Sequence, residues 1–157
     1  LEWNSRDTVE NAALQLLNVI FSVPQISVRL ADLPEEHREM LKFWLDFMRV
    51  HQEVLLHGKL TPYHPELNYP LVVAETETEM VIAVYGGDLA VPVPPRPGKC
   101  CWIINGSGSD RLLLELPLPV RQAVCFDAAG RQSPGAPPVA GLSRVRLPKS
   151  GLLGIQF

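Results

Sequence analysis

Cysteine is scarce in this chain, three in 157 residues, and an odd count argues against a disulfide framework. Cys100 and Cys101 are adjacent, so in a strand they point to opposite faces, and Cys125 completes no C-x-x-C pair with either. All three read as small buried hydrophobes. Long apolar runs are missing as well. The best candidate, residues 12–21, is interrupted by Gln15 and Asn18 and falls short of the ~18 residues a membrane span requires. Neither sign of charge dominates: a net charge of -3 with 20% charged residues gives no footprint for nucleic acid and excludes a highly charged disordered polypeptide. No GxSxG, P-loop or dinucleotide glycine pattern occurs, and His37, His51, His57 and His64 show no two-ligand helical spacing. His57 and His64 come near each other in sequence, but helix capping and solvent exposure account for them without a metal. No metal and no cofactor are expected.

Proline and glycine are nearly missing from the first sixty residues. Only Pro24, Pro34 and Gly58 fall there, out of 15 prolines and 11 glycines. Such a step in the two residues that interrupt regular structure implies two architectures in one chain. In the first, Val9, Ala12, Ala13, Leu16, Leu17 and Ile20 recur at three- and four-residue spacing and predict a helix over 7–22. Asp7 and Glu10 have the spacing of a capping box, and Val23-Pro24 ends the helix. A short extended segment over 25–30 follows. A second helix is predicted over 34–57, with Glu35 and Glu36 at the positive end of its dipole and Gly58 past its C-terminus. Its apolar face includes Met40, Leu41, Trp44, Phe47 and Met48. Two helices cannot bury both stripes between themselves, so they must pack on the second half of the chain, a partner chain or upstream sequence. A homo-oligomer formed through the regions of Leu16, Leu17, Trp44 and Met48 is the expected state.

From Gly58 the texture changes. Residues 58–70 hold Pro62, Pro65 and Pro70 and read as a stiff linker. Beyond it the period is two. Residues 71–74 and 80–85 predict a hairpin around Glu75-Thr76-Glu77-Thr78-Glu79, and 89–97 a proline-laced edge or loop. Residues 101–104 and 112–116 predict a second hairpin around Asn105-Gly106-Ser107-Gly108-Ser109-Asp110, with further strands at 123–127, 143–147 and 152–157. The expected fold is α+β: two N-terminal helices over 1–57, the linker over 58–70, and an antiparallel β-sandwich of about seven strands over 71–157.

Candidate chemistry is sparse. Glu75, Glu77 and Glu79 would share one face of an extended segment, where like charges repel unless solvated, so a solvated hairpin tip explains them better than catalysis does. Asp46 is placed to pair with Arg49 along the second helix. Asn105-Gly106-Ser107 fits a glycosylation acceptor, but Asn-Gly is also a strong hairpin dipeptide.

The order of these residues resembles a family. Glu2-Trp3-Asn4, the run from Glu10 to Val28, Leu33-Pro34-Glu35-Glu36-His37, Phe43-Trp44-Leu45-x-Phe47 and Leu55-Leu56-x-Gly58 are similar to the last barrel strand and helices of bacterial melibiase-type α-galactosidases. Trp102-Ile103-Ile104-Asn105 and Ser150-Gly151-Leu152-Leu153 are similar to strands of that family's C-terminal β-sandwich. The resemblance implies a parent glycoside hydrolase acting on terminal α-galactoside oligosaccharides with retention, through an aspartate nucleophile that follows a Lys-Trp pair and a second aspartate as acid/base. Neither motif is present; Lys42-Phe43-Trp44-Leu45-Asp46 has the wrong spacing and lies in a helix. The chain would then be the end of the (β/α)8 barrel plus the sandwich, structural and inactive, with Glu2, Trp3 and Asn4 at the end of the last barrel strand as its only substrate-binding candidates. Leu1 in place of a methionine, with no signal peptide after it, predicts a start inside a longer protein, and a cytoplasmic location is expected. The alternative is a non-catalytic carbohydrate-binding or interaction module, for which the second half offers Tyr63, Tyr69, Tyr85, Trp102, Phe126 and Phe157 as stacking aromatics.

Overall fold

A computed structural model describes residues 1–96, 98–134 and 138–157. Helix α1 (Val9–Leu17) is capped by Thr8, whose Oγ1 accepts the Asn11 N–H at 3.2 Å. The cap is therefore Thr8 and not Asp7, whose carboxylate instead accepts the Asn4 N–H at 2.9 Å. The helix is shorter than predicted because Val19 and Ile20 bond three residues back, to Leu16 and Leu17, which tightens the chain out of α geometry. Helix α2 (Glu35–Val50) also stops early. His51 leaves helical geometry at φ -102°, ψ 18°, and Glu53–His57 continues as one wide π-type turn.

Among the described residues nine strands form two sheets. Strands β1 (Lys59–Tyr63), β2 (Leu71–Glu75), β3 (Glu79–Val84), β5 (Cys100–Asn105), β7 (Gln122–Phe126) and β9 (Leu152–Gln156) make a six-stranded sheet in the order β1-β2-β3-β5-β9-β7. Strands β4 (Ala90–Pro92), β6 (Arg111–Leu116) and β8 (Gly141–Arg146) make a three-stranded one in the order β4-β6-β8. The α+β class holds, with differences in detail. Two strand pairs, β3 with β5 and β4 with β6, are parallel and not antiparallel. The stretch read as a linker contributes β1, which pairs with β2 and seats Pro62 opposite Val72; at a sheet edge a residue without an N–H is tolerated. The proline-laced segment supplies β4 as an edge strand, as expected, and its last residue, Pro97, lies outside the described residues.

Strict alternation in β3 sets the layers. Met80, Ile82 and Val84 face the small sheet, while Val81 and Ala83 face the helices. Ala74, Ile104 and Leu152 extend the helix-facing surface, where Leu16, Leu17, Met40 and Trp44 cover it. Of the three places proposed for the helical stripes, the second half of the same chain is the one used. Leu16, Leu17, Trp44 and Met48 are buried within the chain, so the self-association expected through them loses its surface.

Side-chain hydrogen bonds fasten the helices to the segments that flank the strands: Trp44 Nε1 donates to Ala128 O at 3.1 Å, the Tyr85 hydroxyl to Leu17 O at 2.7 Å, and the Ser150 hydroxyl to Glu10 O at 2.7 Å. The turn after β7 adds a clasp. Asp127 Oδ1 accepts the N–H groups of Ala129 and Arg131, Gly130 at φ +81° presses its backbone against the Phe43 ring, and Arg131 reaches Glu36 and Glu39 on α2.

Candidate functional site

The break after α2 turns His51 toward the start of β3. Its Nδ1 lies 2.6 Å from Glu79 Oε1, and Trp102 on β5 donates its indole N–H to the same oxygen at 2.9 Å. Phe47, one helical turn before His51, packs at a tilt against the imidazole with ring centroids 4.3 Å apart and meets Trp102 edge-on at 5.7 Å. Gly154, opposite Trp102 in the register, makes room for this indole; a Cβ there would come within 2.5 Å of the ring. Burial by itself raises the Glu79 carboxyl, but the hydrogen bonds from His51 and Trp102 and the attraction of the imidazole outweigh it and hold the group below the usual range.

The three acids predicted to share a face do not. The turn between β2 and β3 sends Glu79 to the helix side, whereas Glu75 keeps the parity of Leu71 and Val73 on the inter-sheet side and pairs with Arg96 at 3.0 Å. Glu77 stays exposed at the tip. The Glu75–Arg96 pair borders a largely apolar groove of about 730 Å³ between the sheets, lined also by Tyr63, Val93 and Leu142.

Searches against family models, curated proteins and solved structures find no match.

Trp3 is 6% exposed and packs into the helix-side core, with an indole N–H that has no partner among the described residues. Glu2 and Asn4 flank it at the surface, and the Asn4 side chain accepts the Arg6 N–H in the turn that leads to α1. His64 pairs with Glu66 at 3.2 Å, and His57 is exposed at the end of the π turn. Among the described residues no three metal-binding side chains converge. Asp46 pairs with Arg49, as predicted, and also with Lys42. Burial pushes the Cys101 thiol up to about 12, which leaves it an inert core residue.

Asn105 is neither a hairpin turn nor an available glycosylation acceptor. β5 and β6 lie in different sheets, and Asn105 sits at the corner between them with 0% exposure. Its amide donates to the carbonyls of Ser109, Leu147 and Pro148, while its Oδ1 accepts from the Ser107 N–H and hydroxyl.

Chemically, His51 and Glu79 have the form of an oriented acid–base pair. Among the described residues, however, no serine, cysteine or second carboxylate is hydrogen-bonded to the imidazole, so the pair lacks the nucleophile that such an arrangement serves in catalysis. What it does is tie the end of α2 to the six-stranded sheet. Sequence reasoning passed over it because its members lie 28 and 23 residues apart and come together only through the β3–β5 pairing. Glu79→Gln is expected to destabilise the chain by roughly 1 kcal/mol at neutral pH. Because the folded carboxyl is held low, its contribution is present above the ordinary carboxyl range and fades as pH falls through the folded value. Melting curves of the two proteins should therefore draw together as pH falls through and below the ordinary carboxyl range, and a difference that stays constant across pH would contradict this role.

Proposed function

We propose that residues 1–157 are the C-terminal part of an α-galactosidase-type glycoside hydrolase, in which they brace the catalytic barrel and do not themselves catalyse. The observation that carries this reading is the joint between the helices and the six-stranded sheet. Trp44 and the Tyr85 and Ser150 hydroxyls fix α1 and α2 on a β-rich body through buried packing and side-chain hydrogen bonds. Helices held this firmly offer a rigid abutment to whatever precedes them. The acidic residues agree with a non-catalytic part. Retaining hydrolysis uses two carboxyl groups about 5–5.5 Å apart across one bond, whereas Glu75 and Glu79 are sent to opposite faces of their sheet. In this reading α-galactoside oligosaccharides are the substrates of the whole enzyme, and Glu2, Trp3 and Asn4 are where this part comes nearest to them.

The test has two arms. The reading frame leading into Leu1 should encode a Lys-Trp-Asp segment, and the whole gene product should release galactose from an aryl α-galactoside. Residues 1–157 alone should release none. An upstream frame without that segment, or galactose release by the isolated chain, overturns the reading.

A further inference from the structure

A groove of about 690 Å³ runs between the C-terminal end of α1 and the β1–β2 hairpin. Its walls present three aromatic rings, Phe21, Tyr69 and Tyr85, and two amides, Asn18 and Asn68, and no lining residue carries a charge. Tyr85 forms a rigid wall: its hydroxyl is fixed on Leu17 O at 2.7 Å, and its ring lies against Gly106, where a Cβ would approach within 2.6 Å of the ring. Asn18 and Asn68 are exposed, and Tyr69 is 46% exposed.

The backbone at the rim is unusual. Asn68 and Tyr69 follow one another in the left-handed region, at φ +59° and +55°. Glycine adopts that conformation freely and a bulky residue rarely does. The turn is held by His64 O, which accepts the N–H groups of both Leu67 and Tyr69. Asparagine tolerates this conformation, so Asn68 fits the turn as it stands, whereas at Tyr69 a turn selected for its shape alone would carry glycine or asparagine; it carries a phenol ring at the rim of an uncharged groove. Strain of this sort persists where the side chain that it positions is used.

We propose that this groove binds a neutral oligosaccharide. The apolar C–H face of a pyranose packs on aromatic rings such as the exposed Tyr69 and the half-buried Phe21. A side-chain amide, with its donor and its acceptor side by side, matches a pair of neighbouring hydroxyls, which is the role of Asn18 and Asn68. With no cation in the lining, nothing recognises a phosphate, sulfate or uronate, so the ligand is uncharged. The site stands on the groove itself and holds whether or not the chain serves a glycosidase.

The test is calorimetry and affinity electrophoresis of the 157-residue chain with neutral probes: galactomannan, xylan, mixed-linkage glucan and maltodextrin oligosaccharides, with a sulfated glycan as the charged control. At least one neutral probe should bind and the sulfated one should not. Tyr69→Gly and Asn68→Gly keep the left-handed backbone and remove only the side chains. Each should weaken binding at least tenfold while leaving the melting temperature unchanged or higher, a combination that a merely structural role does not produce. The proposal is overturned if no neutral probe binds at millimolar concentration, or if Tyr69→Gly binds like the parent chain. It is equally overturned if no probe binds and Tyr69→Gly converts a dimer to a monomer, since the groove is then a contact between copies.

Discussion

Trp44→Ala is expected to cost about 3–5 kcal/mol, the range for truncating a fully buried tryptophan, and so to remove a large share of the stability of a domain of this size. Trp44 is completely enclosed between the helices and the sheet. Its ring meets Phe43 edge-on at 5.1 Å and Phe47 at 5.7 Å, so its loss leaves two aromatic neighbours facing a void. The Ala128 carbonyl would lose the indole N–H as well, at a point in the clasp where solvent does not reach. Trp44→Phe separates the two contributions, because it keeps most of the ring volume and deletes the hydrogen bond; it should fall well short of the alanine cost. Urea unfolding of the three proteins measures both, and an alanine variant within about 1 kcal/mol of the parent would show that the helices do not depend on this anchor.

Asn105→Ala is expected to cost about 3 kcal/mol or more, because one side chain satisfies groups on two separate segments, 107–109 and 147–148, at once. Without it the carbonyls of Ser109, Leu147 and Pro148 lose a shared donor, and the Ser107 N–H and hydroxyl lose their acceptor, at a corner where Asn105, Ser107 and Leu147 are themselves buried. Asn105→Asp is a sharper version of the same experiment. It is nearly isosteric, keeps the acceptor for Ser107 and turns the donor into an oxygen facing three carbonyls, so it should be at least as damaging as alanine at neutral pH. Recovery of the aspartate variant as the acid protonates would support this account; an aspartate variant as stable as the parent would refute it.

The same asparagine shows where sequence reasoning reached and where it stopped. The alternation in residues 71–74, 80–85, 101–104, 112–116, 123–127, 143–147 and 152–157 places each strand to within one or two residues of its observed bounds, because side-chain parity is written locally. Which strand pairs with which is not. Asn105-Gly106 between two apolar runs reads as a hairpin, and only the assignment of β5 and β6 to different sheets makes it a buried corner. The parallel β3–β5 pairing joins residues with β4 between them in sequence, and it is this pairing that gathers His51, Glu79 and Trp102. β1 was hidden by Pro62, since a proline argues against a strand unless the strand lies at an edge, and an edge is a property of the finished sheet. The helices were legible as apolar stripes, but their ends were not: Thr8 and His51 take their roles from what they meet in three dimensions.

The place of β9 carries a consequence for how the chain is made. β9, the last of the described strands, is not at the rim of its sheet but between β5 and β7. Both neighbours are synthesised first and must wait with open edges until residues 152–156 clear the ribosomal tunnel. During that interval the nascent chain exposes two apolar strand edges, the condition under which pairing with another chain competes with folding. A chain cut before residue 152 would therefore keep its helices and lack the strand that joins β5 to β7, and such a product belongs to the proteolytic and chaperone machinery of the cell, not to its pool of folded protein.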